Sequence, residues 1–547
     1  MPSDGRTQER TSGALAAAVR LVSGLTLISR FAGLARDIVT ARLFGDELLA
    51  SAFRAAYALP NLFRRLFGEG ALSAAFLPEY TQLRRDQPDL ANQLASLTVR
   101  LLTLVTGCLL LVVEAALLLV MLMAPQDPGR SLSIQLMMLM LPMMPMVCIT
   151  AILGGMLQAH GRFGPPAAAP IILNLFQILA GGAFYLGWTG DATRTAYLVG
   201  GAAVLASAVQ VVWSWWALRG LVRWTRAGEA ARAHGRRVFS RFVPAVLGLG
   251  TLQLNTMADM LIAMWPVWVG ATMFGRAVTL DERSNAILSY TQALYQFPLG
   301  VFGIAVATAV FPLLSRASND IAAFADVLRR GLRLSFFIGL PAAAGLVLVR
   351  HDLIYCIYSG GRTGFTAEGV ERAAAVLLGF APGVWVYSLN HVLTRAYYAK
   401  HNTRTPMRVA ISMVGLNLGL NLTLIWPLRE AGLAWSTAVS ATVQFVVLLA
   451  LSHKWLGVKP IDRTTWSAMA RILLGAGVMC GAVYALLRLW PDGVGWSHRA
   501  LRLASCVGAG AAAYTLAAVV LKLPELRWLF HRAPARGTDT AAGMSFE

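Results

Sequence analysis

The sequence predicts an all-α polytopic membrane protein. About 14 transmembrane helices are expected, arranged as two six-helix lobes in a parallel pseudo-two-fold repeat plus two C-terminal helices. Composition, the spacing of the apolar runs and an internal repeat predict this class. Of 547 residues, 57% are hydrophobic and only 14% charged, with a mean hydropathy of +0.60, whereas a soluble domain carries roughly 25% charged residues. At about 20 to 22 apolar residues per crossing, this is material for on the order of fourteen spans with short loops between them.

The apolar stretches, bounded by charge, Gly or Pro, fall roughly at 15–42, 50–79, 92–124, 132–158, 167–187, 197–218, 240–269, 284–313, 324–349, 369–398, 406–427, 433–455, 465–489 and 499–522. Backbone in lipid must satisfy its hydrogen bonds internally, which requires helices. The runs are too long and alternate too little for barrel strands. The divisions that follow are a cytoplasmic N-terminus (1–14), an N-lobe of helices 1–6 (15–218), a basic linker (219–239), a C-lobe of helices 7–12 (240–455), helices 13–14 (456–522) and a tail (523–547). No apolar h-region with a small-residue cleavage site follows Met1–Ser12, so the first span is expected to stay as an anchor. Cys108, Cys148, Cys356, Cys480 and Cys506 lie in or beside apolar runs and read as small core residues, not as a disulfide framework.

Lys and Arg number 47 against 27 Asp and Glu, a net charge of +20. Nucleic-acid binding would need a soluble basic surface, for which little chain remains. The charges instead report orientation, since short cytoplasmic loops retain Lys and Arg. The larger share falls inside when both termini are cytoplasmic, with the densest cluster at Arg219, Arg223, Arg226, Arg232, Arg236, Arg237 and Arg241, between helices 6 and 7.

The repeat is carried by Pro142, Ala159 and Pro166, which recur 240 positions later as Pro382, Ala399 and Pro406. Each set frames a helix, a short polar loop and the next helix. Helices 2 and 8 match more loosely, through Leu59-Pro60 and Phe297-Pro298, then Phe76-Leu77-Pro78 and Phe311-Pro312. An even number of helices per half gives both halves the same orientation, hence a parallel repeat about an axis along the membrane normal.

Nine arginines fall inside the helices: Arg20, Arg30, Arg36, Arg42, Arg54, Arg64, Arg65, Arg100 and Arg395. A charge at mid-helix costs at least about 2.5 to 3.5 kcal/mol in hydrocarbon, so such residues face protein or a wet cavity. Arg20, Arg42 and Arg100, near helix ends, are expected to reach the headgroups. Arg30, Arg36, Arg64 and Arg65 make the central candidate site. On a helix, Asn61, Arg64 and Arg65 share a face, and Glu69 follows Arg65 by four, just beyond the kink expected at Pro60. Several guanidiniums with few acids suit a polyanion, and their fork geometry suits phosphate. Ion pairing of Arg36 with Asp37 and of Arg65 with Glu69 is the bland alternative. A second constellation joins Asp259, Asn417, Asn421 and Thr437, hard oxygen donors on three helices. These suit a monovalent cation, or simply glue the helices through hydrogen bonds. No phosphate-binding Gly-Lys-Ser/Thr loop, His-Glu-x-x-His or Gly-x-Ser-x-Gly motif is present, so neither ATP use nor enzyme chemistry is expected.

The Ser29-Arg30-x-x-Gly33-x-x-Arg36-Asp37 run, the Leu59-Pro60-Asn61-x-x-Arg64-Arg65-x-Phe67-x-Glu69-Gly70 run with Phe76-Leu77-Pro78-Glu79-Tyr80 after it, and Phe297-Pro298-Leu299-Gly300-Val301 with Gly303-Ile304-Ala305 resemble the MurJ (MviN) family. That family belongs to the multidrug/oligosaccharidyl-lipid/polysaccharide exporter superfamily. Gly331-Leu332-Arg333, Leu340-Pro341, Gly364-Phe365-Thr366, Thr405-Pro406 and Ala431-Gly432-Leu433 extend the resemblance over nearly the whole chain. It implies a lipid II flippase of peptidoglycan synthesis in the bacterial inner membrane, working by alternating access, with the diphosphate held by Arg30, Arg36, Arg64 and Arg65 and the site shaped by Asn61 and Glu69. It also implies sodium (Na+) at Asp259, Asn417, Asn421 and Thr437, where some members carry an acid in place of an amide, and enzymes of peptidoglycan synthesis as partners. This chain departs from the pattern at Ser51 and Ala58, where the family often has an acid and a lysine. It departs again at Ala293, where helix 8 usually has an Arg; Arg54, Arg276 and Arg283 are the cations near enough in sequence to stand in. Export of another lipid-linked glycan, cation-coupled drug export and an enzyme acting on polyprenyl phosphates are the other readings.

Overall fold

The computed structural model describes residues 4–68, 71–123, 127–249, 251–360, 363–491, 493 and 495–530. Among these the chain is almost entirely helical, and its helices follow the apolar stretches in order. The long ones are α1 (Asp4–Phe44), α2 (Leu48–Phe63 and Arg64–Gly68, then Ala71–Asp86), α3 (Pro88–Met123), α4 (Pro128–Ala159), α5 (Gly164–Tyr185), α6 (Ala192–Ala217), α7 (Glu229–Leu249 and Thr251–Ala263), α8 (Ser284–Arg316), α9 (Ile321–Tyr358), α10 (Ala367–Ala399), α11 (Arg404–Leu428), α12 (Glu430–Leu456), α13 (Arg463–Leu489) and α14 (Trp496–Val520), with short helices at Trp265–Trp268 and Pro524–Phe530. Eleven of them are long and apolar enough to cross a membrane among the described residues. The three outside that set, α1, α2 and α7, carry Arg30, Arg36, Arg54, Arg64, Arg65 and Asp259.

The repeat is visible in the breaks. In α4, Pro128–Met140 and Met143–Ala159 are separated at Pro142; in α10, Ala367–Phe380 and Gly383–Ala399 are separated at Pro382. The second pieces have equal lengths of 17 residues. Proline removes a backbone donor and breaks the hydrogen-bond ladder at the same place in both halves. In α2 and α8 the correspondence is closer than the sequence showed, because each widens into a π-helical turn just beyond its proline, Arg64–Gly68 after Pro60 and Leu299–Gly303 after Pro298. The basic stretch after α6 lies along α3, with the amides of Arg223, Thr225 and Gly228 donating to Asn92 Oδ1, Ser96 Oγ and Gln93 Oε1, and enters α7 at Glu229. Helices α13 and α14 pack on α9, where the Tyr514 hydroxyl donates to the Phe337 carbonyl at 2.8 Å.

The two halves are fastened together at the end where α1 terminates. Arg42 donates to the carbonyls of Ile357 and Cys356, at 3.0 and 2.7 Å. It therefore satisfies the orphan acceptors at the end of α9 and does not reach toward headgroups as its sequence position suggested. Thr363 returns the contact through its hydroxyl to the Arg42 and Leu43 carbonyls. The fully buried Asp46 accepts from the Thr366 amide and hydroxyl, both at 2.9 Å. At the start of α8 the Asn285 amide nitrogen donates to the Ser51 carbonyl, and the Ala286 amide to Ser51 Oγ. The separation in sequence stays near 235 from Ser51–Ala286 to Arg54–Ser289, so α2 and α8 run side by side in parallel, away from this closed end.

Candidate functional site: a cationic cavity between the halves

Between α1, α2, α7 and α8 lies a cavity of about 170 Å³. Its α1 and α2 wall is formed by Arg36, Asp37, Arg54, Tyr57, Ala58, Asn61, Leu62 and Arg65. On α2 the polar members recur at 54, 57, 61 and 65, one helical stripe. The opposite wall comes from α7 and α8 and includes Gln253, Asp259, Asn285, Ser289, Gln292, Ala293 and Gln296. Three guanidiniums thus face two carboxylates, a formal surplus of positive charge.

Asp37 is the pivot of the charged wall. Its Oδ1 accepts from Arg36 Nη2 at 2.9 Å and from Arg54 Nη1 at 2.8 Å. Arg36 also donates to the Tyr57 hydroxyl at 2.7 Å and to Asn174 Oδ1 at 3.1 Å, and lies over the Tyr57 ring. Arg54 donates across the cavity to the Ser289 carbonyl at 3.2 Å and lies over the Tyr290 ring. The pairing of Arg36 with Asp37 read from the sequence is therefore present but incomplete. One carboxylate serves two guanidiniums, and the trio keeps a net positive charge.

Of the residues singled out in the sequence, Arg36, Asn61 and Arg65 line the cavity. Arg64 does not: its Nε donates to Asn61 Oδ1 at 2.8 Å. It reaches back one turn to Asn61, so the two share a face, but at the first residue of the π-helical turn its guanidinium is spent on Asn61. Arg30 lies outside the lining too, its guanidinium pressed against the backbone of Gly300 in the π-helical turn of α8, so close that a methyl group on Gly300 would overlap it. Glu69, with its expected pairing to Arg65, lies outside the described residues. Of the three proposed stand-ins for the cation missing at Ala293, Arg54 is at the cavity. Arg283 sits at the closed end, 3.8 Å from Asp46 and 3.5 Å from Glu368, and Arg276 is exposed in a two-stranded hairpin between α7 and α8. Sequence reasoning missed the α8 stripe of Asn285, Ser289, Gln292 and Gln296, although its 4, 3, 4 spacing is a one-face pattern.

The four residues of the second constellation lie together. Asn421 Nδ2 donates to Asp259 Oδ1 at 2.6 Å and to Asn417 Oδ1 at 3.2 Å, and Asn417 Nδ2 reaches Thr437 Oγ1 at 3.5 Å. Asp259, Asn417 and Asn421 are buried. The buried Asn421 Oδ1 has no hydrogen-bond partner among the described residues, and such an orphan acceptor fits a hard cation, whose ligands are oxygens. Asp259 also lines the cavity, so the two sites adjoin.

Near the closed end a second charged cluster joins α8, α10 and α12. Arg372 donates to Asp281 Oδ1 and Oδ2 at 2.8 and 2.7 Å and to Glu430 Oε1 at 2.7 Å, and Arg429 donates to Asp281 Oδ2 at 2.8 Å. Burial pushes the Asp281 carboxyl up, but the hydrogen bonds and charge of Arg372, the Ser284 hydroxyl and the charge of Arg429 outweigh it and hold it at about 2. Asp281 lies in the loop before α8, outside the spans.

Comparison with known proteins agrees with this architecture. The family model described as lipid II flippase MurJ matches residues 40–505. A probable lipid II flippase MurJ of Vibrio cholerae is 30% identical over 533 residues, covering 93% of this chain and 96% of its own. Among solved structures, a lipid II flippase MurJ in an inward closed conformation superposes with a TM-score of 0.76 at 22% identity, covering 93% of this chain and 100% of that one. An inward-facing MATE family multidrug resistance transporter of the MOP superfamily gives 0.63 at 13% identity, covering 80% and 99%. With a match spanning most of its length and a relative aligned nearly end to end, this multi-pass membrane protein belongs to the MurJ family.

Proposed function

We propose that the chain is a lipid II flippase, moving an undecaprenyl-diphosphate-linked peptidoglycan precursor across the cytoplasmic membrane by alternating access. The observation that carries this reading is the guanidinium wall of Arg36, Arg54 and Arg65 lining a cavity between the two halves. Guanidiniums offer paired donors to phosphate oxygens and keep their charge at any physiological pH. Asp37 holds two of them in place while leaving the trio positive. The protein acts as a transporter and not as an enzyme: it binds, reorients and releases an unchanged molecule. Both termini lie in the cytoplasm, which puts the closed end of the cavity outward. The lobes 15–218 and 240–455 rock about the cavity, and helices α13 and α14 offer a groove for the polyprenyl tail. Asp259, Asn417, Asn421 and Thr437 would hold sodium, whose charge lets the membrane potential, worth about 2.3 kcal/mol per charge per 100 mV, help drive the return.

Complementation tests the reading. Cells depleted of their own lipid II flippase should grow when this chain is expressed, and Arg36→Ala should abolish the rescue at equal membrane abundance. No rescue by the intact chain at good abundance would reject it.

A further inference from the structure

The cavity is chemically divided along its length. Where α2 and α8 run in parallel, Arg54 is level with Ser289, and the same register sets Gln292 beside Tyr57 and Gln296 beside Asn61. At 1.5 Å rise per residue, the two glutamines stand about 4.5 and 10.5 Å beyond Ser289 along α8. Arg36 and Arg54 occupy the closed end of the cavity, and Arg65 follows Asn61 by four residues on α2. A belt of carboxamides, Asn61, Gln292 and Gln296, therefore lies between two cationic levels, with Ala293 adding no charge to it.

A carboxamide both donates and accepts and carries no charge. It does not compete with guanidinium for phosphate, but it matches groups that need a donor and an acceptor side by side, such as vicinal hydroxyls and the acetamido substituent of an amino sugar. Asn285 and Ser289, nearer the closed end, are engaged with the neighbouring helix, Asn285 with the Ser51 carbonyl and the Ser289 carbonyl with Arg54. They belong to the framework, whereas Gln292 and Gln296 continue the same stripe along the cavity wall, one and two turns beyond, where the Tyr295 side chain is their hydrogen-bonding neighbour.

We infer that Gln292 and Gln296 form a sugar subsite, which reads the hydroxyl and acetamido groups of the first saccharide next to a diphosphate held by Arg36 and Arg54. The inference rests on the flippase reading and deepens it. It assigns glycan selectivity to α8 and charge recognition to α1 and α2.

The test compares two ligands on the full-length chain in lipid nanodiscs: bare polyprenyl diphosphate, and polyprenyl diphosphate carrying an N-acetylated disaccharide. Wild type should bind the glycan-bearing ligand more tightly. Gln292→Leu with Gln296→Leu should lower the affinity for that ligand about tenfold more than for the bare diphosphate, the loss expected from one or two hydrogen bonds. Arg36→Ala should lower both in parallel. If the double variant does not fold, the single substitutions read the same ratio. Equal affinity of wild type for both ligands, or an equal loss for both in the glutamine variants, overturns the sugar subsite and leaves the flippase reading standing. Wild-type binding of neither ligand overturns both.

Discussion

Arg54 Nη1 meets Asp37 Oδ1 at 2.8 Å, joining α2 to α1, while Arg54 Nη2 reaches the Ser289 carbonyl of α8. One side chain therefore ties three helices from both halves to a single buried carboxylate. Replacing Asp37 removes the shared acceptor and leaves two guanidiniums confronting each other. Breaking a buried pair in this way costs about 3 kcal/mol or more. Asp37→Asn is expected to lower the thermal midpoint of the purified protein more than Arg54→Ala does, and Arg54→Ala is expected to lower lipid-linked diphosphate affinity at least as much as Arg65→Ala. A midpoint for Asp37→Asn equal to wild type would show that the carboxylate does not organise the pair.

Gly300 offers an indirect way to move Arg30. Because a methyl group at Gly300 overlaps the Arg30 guanidinium, Gly300→Ala should displace that side chain, and its effect on transport should match that of Arg30→Ala without adding to it. Complementation by the two single variants and the double reads this, and an additive defect in the double would separate the two residues.

Ala293 stands on the cavity wall between the two glutamines. A guanidinium there adds a donor fork facing Arg36 and Arg54 across the cavity, and a hydrogen bond to a charged group contributes about 1.5 kcal/mol or more. Ala293→Arg should tighten binding of bare polyprenyl diphosphate about tenfold. Unchanged affinity would mean that the diphosphate does not reach this face of α8.

The Asp281 carboxyl, held at about 2 against an ordinary value of 3.8, stabilises the folded state fully above pH 4. That contribution is lost as pH falls from about 4 toward 2, because the unfolded chain takes up the proton first. Melting curves between pH 5 and pH 2.5 should fall less steeply for Asp281→Asn than for wild type. Parallel curves would remove Arg372 and Asp281 as a source of acid lability.

Sodium bound at Asp259, Asn417, Asn421 and Thr437 would stabilise the folded protein by an amount that rises with the logarithm of its concentration above Kd. The melting temperature should rise in sodium chloride over an equal concentration of choline chloride, and Asp259→Ala with Asn421→Ala should erase the difference. A shift that survives both substitutions would place the ion elsewhere.

What the sequence disclosed and what it withheld follow from the physics of each element. The helices and the paired prolines were legible because hydrophobic length and proline chemistry are local properties. Arg36 and Arg65 line the cavity because rare charges at membrane depth avoid lipid, and Asn61 joins them by lying one turn before Arg65 on the same helix. Arg64 and Arg30 stand outside the cavity lining, Arg64 against Asn61 and Arg30 against Gly300, and both contacts fall at π-helical turns, which have no sequence signature of their own. Arg42 looked like a headgroup anchor until its acceptors, more than 300 residues away, were seen at the end of α9. Arg54 gained its role only through Asp37 and Ser289, contacts made by tertiary packing. The α8 carboxamides were overlooked because uncharged polar residues seldom announce a site.

The twin π-helical turns also bear on how such a molecule bends. A widened turn lacks part of its ladder and yields more easily than the α-helix on either side. Among the described residues one such joint lies in each half, and the ends are fastened by Asp46 and Thr366, so a bend at either joint would swing the segment beyond it, with the helices packed on it, about the fastened end, as tweezers open about a fixed bow. Arg64 and Arg65 sit on one joint and Gly300, which cradles Arg30, on the other. Flexing either joint must therefore reposition the arginines, so that the grip on an anion and the angle of the limbs are set by one and the same movement.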